Sequence, residues 1–288
     1  MYKMVVLDLD GTLLNDKKQI SRRNAEVIKK VHKEKGVLFV IATGRDMNYA
    51  IKVVGELKDT INQYMIASNG AVIKDNIKDE YILKNYFDEI DAIKIIESSR
   101  KRHLGVLIYT HDEKLTEGKE QSKINREAKL LKDLKKYYLE NEISTTLMVT
   151  LYGSQNDLKG MKKEIELEFN ELETTDICDF LFDMGKEVYQ TKYIDVMRKG
   201  SSKSNAIKIL ADYLHIDKEE IVVMGDGAND FPMFEMSGYK VAMENGNEML
   251  KEKADYITTT NNQDGVAKAL EEIFYKGENK AWVKMSKE

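Results

Sequence analysis

Two aspartates two residues apart close the first apolar run of the chain. Met4 to Thr12 reads MVVLDLDGT, so Asp8 and Asp10 follow four apolar residues and Gly11 comes directly after them. Residues i and i+2 of a strand share a face, and the spacing therefore predicts two carboxylates on one side. Like charges that close repel, so the pair calls for a shared proton or a cation. With oxygen ligands only, Mg²⁺ is the natural candidate. A strand ending in a polar turn is the plainer reading of a lone DxD; DLDGT behind an apolar run is more specific.

Three further segments carry chemistry of the same kind. Val37 to Arg45 (VLFVIATGR) ends a second apolar run in Thr43 and Gly44, a hydroxyl and an unshielded amide that suit a phosphate oxygen at a helix start. Taken alone, Thr43 reads better as an ordinary N-cap, and Arg45 has no assigned direction. Lys199 to Ser204 (KGSSKS) opens a helix in which Lys203 is either a phosphate-facing ammonium or one more solvated lysine. Ile221 to Asp230 (IVVMGDGAND) sets Asp226 between two glycines just past a strand, followed by Asn229 and Asp230. A capped helix accounts for Asp230; turn formation does not account for Asp226. The chain has no GxxxxGK[ST] loop, and GDGAND lacks the third glycine of a dinucleotide fingerprint.

The elements that must position these groups follow from periodicity. Apolar runs at Met4–Leu9, Val37–Ala42 and Tyr64–Ala67 alternate with helical-period segments at Ser21–Lys35 and Met47–Leu57, which is βαβαβ patterning. Runs apolar on both faces imply a parallel sheet covered on both sides. The rhythm returns with a helix at Lys203–Leu214, strands at Ile221–Met224, Lys240–Met243 and Tyr256–Thr258, and a helix after Asp264. The expected fold is thus α/β, a Rossmann-like parallel sheet core in two parts, residues 1–82 and 193–288, with an inserted α+β domain at 83–192. Within the insert, β-like runs stand at Gly105–Tyr109, Thr145–Leu151 and Phe180–Met184, and the charged run Lys114–Asn141 reads as an amphipathic helix. Ligands of an open parallel sheet bind beyond the carboxyl ends of its strands, where all four segments fall. Three carboxylates, a hydroxyl, an amide and an ammonium converging there suit metal-assisted phosphoryl transfer.

Composition bounds the partners. The chain has 288 residues, 45 Lys and Arg against 50 Asp and Glu, and a formal charge of -5 without any overwhelmingly basic block, which argues against nucleic acid. No apolar run approaches the length needed to span a bilayer, and Met4–Leu7 is too short for a signal peptide, so a cytoplasmic location is expected. The single cysteine, Cys178, excludes an intrachain disulfide, and the four histidines lack zinc-motif spacing. Oligomeric state is not legible.

Taken together, the motifs resemble the haloacid dehalogenase (HAD) superfamily, with DLDGT, ATGR, Lys203 and GDGAND in the order of its four motifs. The long insert, SNGA at Ser68–Ala71, VAMENG and ITTTNNQDGVA are similar to the Cof-type sugar-phosphatase branch, which has an α/β cap domain. The resemblance implies a Mg²⁺-dependent phosphatase of small phosphorylated metabolites, sugar phosphates or phosphorylated cofactors. In it Asp8 is the nucleophile that becomes phosphoaspartyl and Asp10 the acid/base. Mg²⁺ is held by the carboxylates of Asp8 and Asp226 and the carbonyl of Asp10. Thr43, Gly44, Lys203, Asn229 and the Leu9 N–H hold the phosphoryl group, Asp230 supports from behind, and Asn69 orients the site, although a hairpin turn accounts for SNG nearly as well. Ser204 stands where the family commonly has glycine, and ENG replaces the usual NA after VAM. A phosphosugar mutase, or a non-enzymatic switch phosphorylated on Asp8, would share this chemistry.

Overall fold

The computed structural model describes residues 1–61, 63–111, 113–117, 128–183 and 188–276. The strands in chain order are β1 (Met4–Leu7), β2 (Leu38–Ala42), β3 (Tyr64–Ala67), β4 (Val72–Asp75), β5 (Glu80–Lys84), β6 (Gly105–Thr110), β7 (Lys114–Glu117), β8 (Lys129–Leu131), β9 (Thr146–Gly153), β10 (Leu172–Thr174), β11 (Cys178–Asp183), β12 (Val188–Arg198), β13 (Ile221–Gly225), β14 (Tyr239–Met243) and β15 (Tyr256–Thr258). They divide between two compact units, one formed by Met1–Leu83 with Ser202–Glu288 and the other by Lys84–Ser201.

Among the described residues, the first unit carries an eight-stranded sheet in the order β15-β14-β13-β1-β2-β3-β4-β5. β1 is central and parallel to both β13 and β2, with Val5 level with Val222 on one side and Phe39 on the other. All four residues of β1 are fully buried, as strands covered on both faces must be. Val5, Leu7, Phe39 and Ile41 pack against the helix Arg22–Lys35, while Met4, Val6, Val40 and Ala42 pack against Lys203–Leu214, so alternation distributes one strand between two cores. The chain proceeds from β1 outward to β2 and β3, then returns to the other side of β1 as β13. That reversal is the switch point at which open α/β sheets bind ligands.

Local signals set the helix starts. Ser21 caps Arg22–Lys35 by accepting the N–H of Asn24, Asp46 caps Met47–Val54, and Ser202 caps Lys203–Leu214 by accepting the N–H of Asn205. The segment expected as one helix to Leu57 is helical to Val54 and then tightens into a 3₁₀ turn, Gly55–Leu57.

The second unit is an antiparallel-rich sheet in the order β10-β12-β9-β6-β7-β8, with β11 also paired to β12. Val106, Ile108, Val149, Leu151, Ile194 and Val196 form one face and bury Ile95, Tyr138 and Met161 from three helices. The intervening residues Thr150 and Asp195 lie on the other face, joined by a 2.6 Å hydrogen bond from the threonine hydroxyl.

Two expectations are corrected here. The boundary expected after residue 192 falls inside β12, whose ladder to β9 runs unbroken from Lys192 to Met197, and the second unit ends at Ser201. The run 114–141 is not one helix: Lys114–Glu117 pairs with β6, Lys129–Leu131 pairs with β7, and only Leu134–Asn141 is helical. Residues 118–127 of that run, Met184 of an expected strand and the tail after Lys276 lie outside the described residues. No helix among the described residues is long and apolar enough to cross a membrane.

Candidate active site

β1 stops at Leu7, one residue before the first aspartate. The chain then turns: the N–H of Leu13 donates to the carbonyl of Asp8 and that of Leu14 to the carbonyl of Leu9. Gly11 has φ of 83°, and a Cβ there would stand 2.2 Å from Asp226 Oδ2. Only glycine allows that close, left-handed passage. The strand rule for residues i and i+2 therefore does not govern Asp8 and Asp10, and their carboxylates take different partners.

Asp8 is buried and accepts a 2.6 Å hydrogen bond from Lys203 Nζ through Oδ1. The same ammonium donates to Asp230 Oδ1 at 2.7 Å. Lys203 is itself buried, in the first turn of the Ser202-capped helix, so the solvated reading of this lysine does not hold. Asp230 Oδ2 accepts the backbone N–H groups of Asp226 at 3.1 Å and Gly227 at 3.0 Å. Asp230 thus ties the loop after β13 to Lys203, with both of its oxygens occupied. Asp226 accepts a 2.8 Å hydrogen bond from the Thr12 hydroxyl, a contact that sequence reading missed.

Ligand atoms of Asp8, Asp226 and Asp230 lie within 4.8 Å of one another. Among the described residues they share one buried ammonium. Burial first, then the Asp230 and Asp226 charges, hold the Asp8 carboxyl well above the ordinary range against the pull of Lys203. Burial and the charges of Asp230 and Asp10 push Asp226 up to about 6, although Thr12 and Lys203 oppose the shift. For Lys203, burial works against the ammonium, yet Asp230 and Asp8 outweigh it and hold it charged. Excess buried negative charge among hard oxygen donors fits a divalent cation.

Asp10 faces elsewhere. Arg45 donates to both of its oxygens, from Nε at 2.8 Å and Nη2 at 3.2 Å, and Lys18 Nζ adds a third contact at 2.6 Å. Burial raises the Asp10 pKa, but these contacts outweigh it and hold the carboxyl below its usual range. Arg45, undirected in the sequence, is an ion-pair partner of Asp10; Lys18 carried no sequence signal.

Thr43 is buried, and its hydroxyl accepts the N–H of Arg45 at 3.1 Å in the turn before the helix Met47–Val54; the cap of that helix is Asp46, so Thr43 is not its N-cap. The Asn69 carboxamide lies against Gly44, where a Cβ would stand 2.8 Å from Oδ1. Asn229 is exposed on the 3₁₀ turn Ala228–Asp230, with its side chain folded over Gly227. Leu9 is buried between the two aspartates. Asn245 donates to the Gly11 carbonyl at 2.9 Å and accepts the N–H of Asn261 at 2.9 Å, so the variant ENG loop braces the turn carrying Asp10.

A family model for haloacid dehalogenase-like hydrolases matches residues 5–270. The chain is 31% identical over 292 residues to the 5-amino-6-(5-phospho-D-ribitylamino)uracil phosphatase YwtE of Bacillus subtilis, across 94% of this chain and 98% of that protein. It is 30% identical over 274 residues to YcsE of the same organism, a phosphatase of the same description, across 93% and 94% respectively. A crystal structure of a haloacid dehalogenase-like hydrolase from Bacteroides thetaiotaomicron is similar with a TM-score of 0.76 at 28% identity, covering 95% of this chain and 100% of that one.

Proposed function

Starting from the chain's membership of the haloacid dehalogenase-like hydrolase family, to which it belongs, we propose that it hydrolyses phosphomonoesters of small metabolites, with Mg²⁺, through a phosphoaspartyl intermediate on Asp8. The observation that carries this reading is the buried chain Asp8–Lys203–Asp230 beside Asp226, since it supplies a carboxylate nucleophile, a fixed cation and a vacant demand for positive charge in one place.

Asp8 Oδ attacks phosphorus in line with the leaving oxygen, and the P–O bond to the alcohol breaks as the acyl phosphate forms. Lys203 offsets the charge on the transferring group, and the hydroxyl of Thr43, the N–H groups of Gly44 and Leu9, and Asn229 receive its oxygens. Asp230 acts through Lys203 by holding its ammonium, and Asn69 acts through Gly44. Asp10 protonates the leaving alcohol and then takes a proton from the water that cleaves the acyl phosphate. Arg45 and Lys18 favour the unprotonated form of Asp10, so their contacts must loosen before it donates a proton. The carboxylates of Asp8 and Asp226 and the carbonyl of Asp10 would hold Mg²⁺, which when bound neutralises the approaching anions.

The named substrate of YwtE and YcsE is a phosphorylated polyol on a pyrimidine, and similarity to them supports sugar or polyol phosphates as the class to try first. The test is phosphate release from p-nitrophenyl phosphate and a panel of sugar, polyol and cofactor phosphates, by wild type and Asp8→Asn, with Mg²⁺ and with EDTA. Metal-dependent release that vanishes in Asp8→Asn is expected. A product phosphosugar in place of free phosphate would make the protein a mutase, and a phosphoaspartate that persists for minutes would make it a switch.

A further inference from the structure

The turn joining β3 to β4 passes through the left-handed region three times, with φ of 50° at Ser68, 53° at Asn69 and 98° at Gly70. At Gly70 the cause is contact: a Cβ would stand 2.2 Å from the Ser202 carbonyl oxygen and 2.9 Å from the Lys203 nitrogen. Ser68 has no such need, because glycine would hold the same backbone without strain. Its hydroxyl adds a second cost, being buried with no hydrogen-bond partner among the described residues. Both costs fall at one residue, and its place in the fold says what offsets them.

Ser68 stands between the two segments proposed to hold the phosphoryl group. Ser68 directly follows β3, whose Ile66 carbonyl accepts the N–H of Thr43 at 3.0 Å. Its own N–H donates to the Arg45 carbonyl at 2.8 Å, and the next N–H, of Asn69, donates to the Thr43 carbonyl at 3.1 Å. Two residues on, Gly70 is pressed against the start of the helix that carries Lys203.

We infer that the Ser68 hydroxyl is a further hydrogen-bond donor to the phosphoryl oxygens handled by Thr43, Gly44 and Lys203. The inference rests on the hydrolase reading for the identity of its ligand. Nothing in the four motifs marks Ser68, because its signal is the coincidence of strain and an unpaired buried hydroxyl.

The test uses Ser68→Ala and Ser68→Gly in the full chain. Binding of inorganic phosphate and of orthovanadate is measured by calorimetry with Mg²⁺, alongside Mg²⁺ affinity, melting temperature and kcat/KM for p-nitrophenyl phosphate. Both variants should bind phosphate and vanadate about 10–100-fold more weakly and lose kcat/KM by a similar factor. Mg²⁺ affinity should be unchanged, and Ser68→Gly should melt at or above the wild-type temperature. Phosphate affinity within threefold of wild type in Ser68→Ala would overturn the inference, as would an equal loss of Mg²⁺ affinity. If Ser68→Gly does not fold, Ser68→Ala decides. Wild type that binds phosphate but hydrolyses no phosphomonoester refutes the hydrolase reading and still leaves the affinity comparison to judge Ser68; wild type that binds neither anion overturns both.

Discussion

Replacing Lys203 by Met removes from a site of three carboxylates the one cation that is buried there among the described residues. The Lys203 side chain is 2% exposed, against 9% for Asp8 and 1% for Asp230, so water screens little of what remains. Breaking a buried ion pair from one side costs roughly 3–5 kcal/mol, because a buried charge is left uncompensated. Proton uptake by Asp8, whose carboxyl already lies above its ordinary range, relieves part of that, so about 3 kcal/mol is expected at pH 7. Asp230→Asn cannot accept from Lys203 and from both backbone N–H groups at once, and should cost about 2 kcal/mol. The double variant should be less destabilised than the sum by about 1.5–3 kcal/mol, the coupling of residues in one network. The assay is urea denaturation in EDTA, fitted with separate transitions for the two units. The Lys203→Met deficit should shrink from pH 8 to pH 5, as protonation removes the charges that Lys203 had opposed. A coupling below about 0.5 kcal/mol, or a deficit that grows toward acid pH, would refute the reasoning.

Other expectations follow from single groups. Asp10→Asn should lower kcat by about 10²–10⁴ on alkyl phosphates, and by less on p-nitrophenyl phosphate, whose leaving group needs little proton assistance; steady-state kinetics on both substrates would show it. Gly11→Ala meets Asp226 and a forbidden backbone angle together, and Mg²⁺ titration should find affinity reduced at least about 10-fold. Asp195, pushed up by burial to about 6 despite its Thr150 hydrogen bond, stabilises the fold least when charged. Its contribution is complete below the unfolded pKa near 3.9 and is lost as pH rises through about 6. Asp195→Asn should therefore add about 1–2 kcal/mol at pH 8 and close to nothing at pH 4, read by denaturant unfolding at the two values.

The sheet was legible because burial on both faces leaves near-continuous apolar runs, and MVVL, LFVIA and IVVMG are such runs. Of the caps, the serines of KGSSKS were legible, and Ser202 is the one used; Asp46 rather than Thr43 caps Met47–Val54, and Asp230 makes no capping bond because its carboxylate turns back to Asp226, Gly227 and Lys203. What escaped depends on partners far along the chain. Asp8 and Asp10 part company because β1 ends at Leu7 and Gly11 turns the chain away, which a pleat-based rule cannot register. The pairing of Lys203 with Asp8 spans 195 residues, and that of Arg45 with Asp10 spans 35. Lys114–Glu117 sits in a charged stretch with helical spacing, but β6 offers it a ladder, and pairing overrides the local pattern. Nothing local marks residue 192 as the middle of a strand, since the polar Gln190–Lys192 precedes the apolar stretch that pairs with β9.

The central claim is that Asp8 is phosphorylated during turnover. Single-turnover reactions of the Asp10→Asn variant with p-nitrophenyl phosphate, whose leaving group needs little proton assistance, quenched in acid at successive times and mapped by mass spectrometry, test it most directly. Slowed breakdown should let phosphate accumulate on the peptide containing Asp8, and the signal should vanish when Asp8 is also replaced by Asn. Release of free phosphate with no label on that peptide at any time, or label on another residue, would contradict the account.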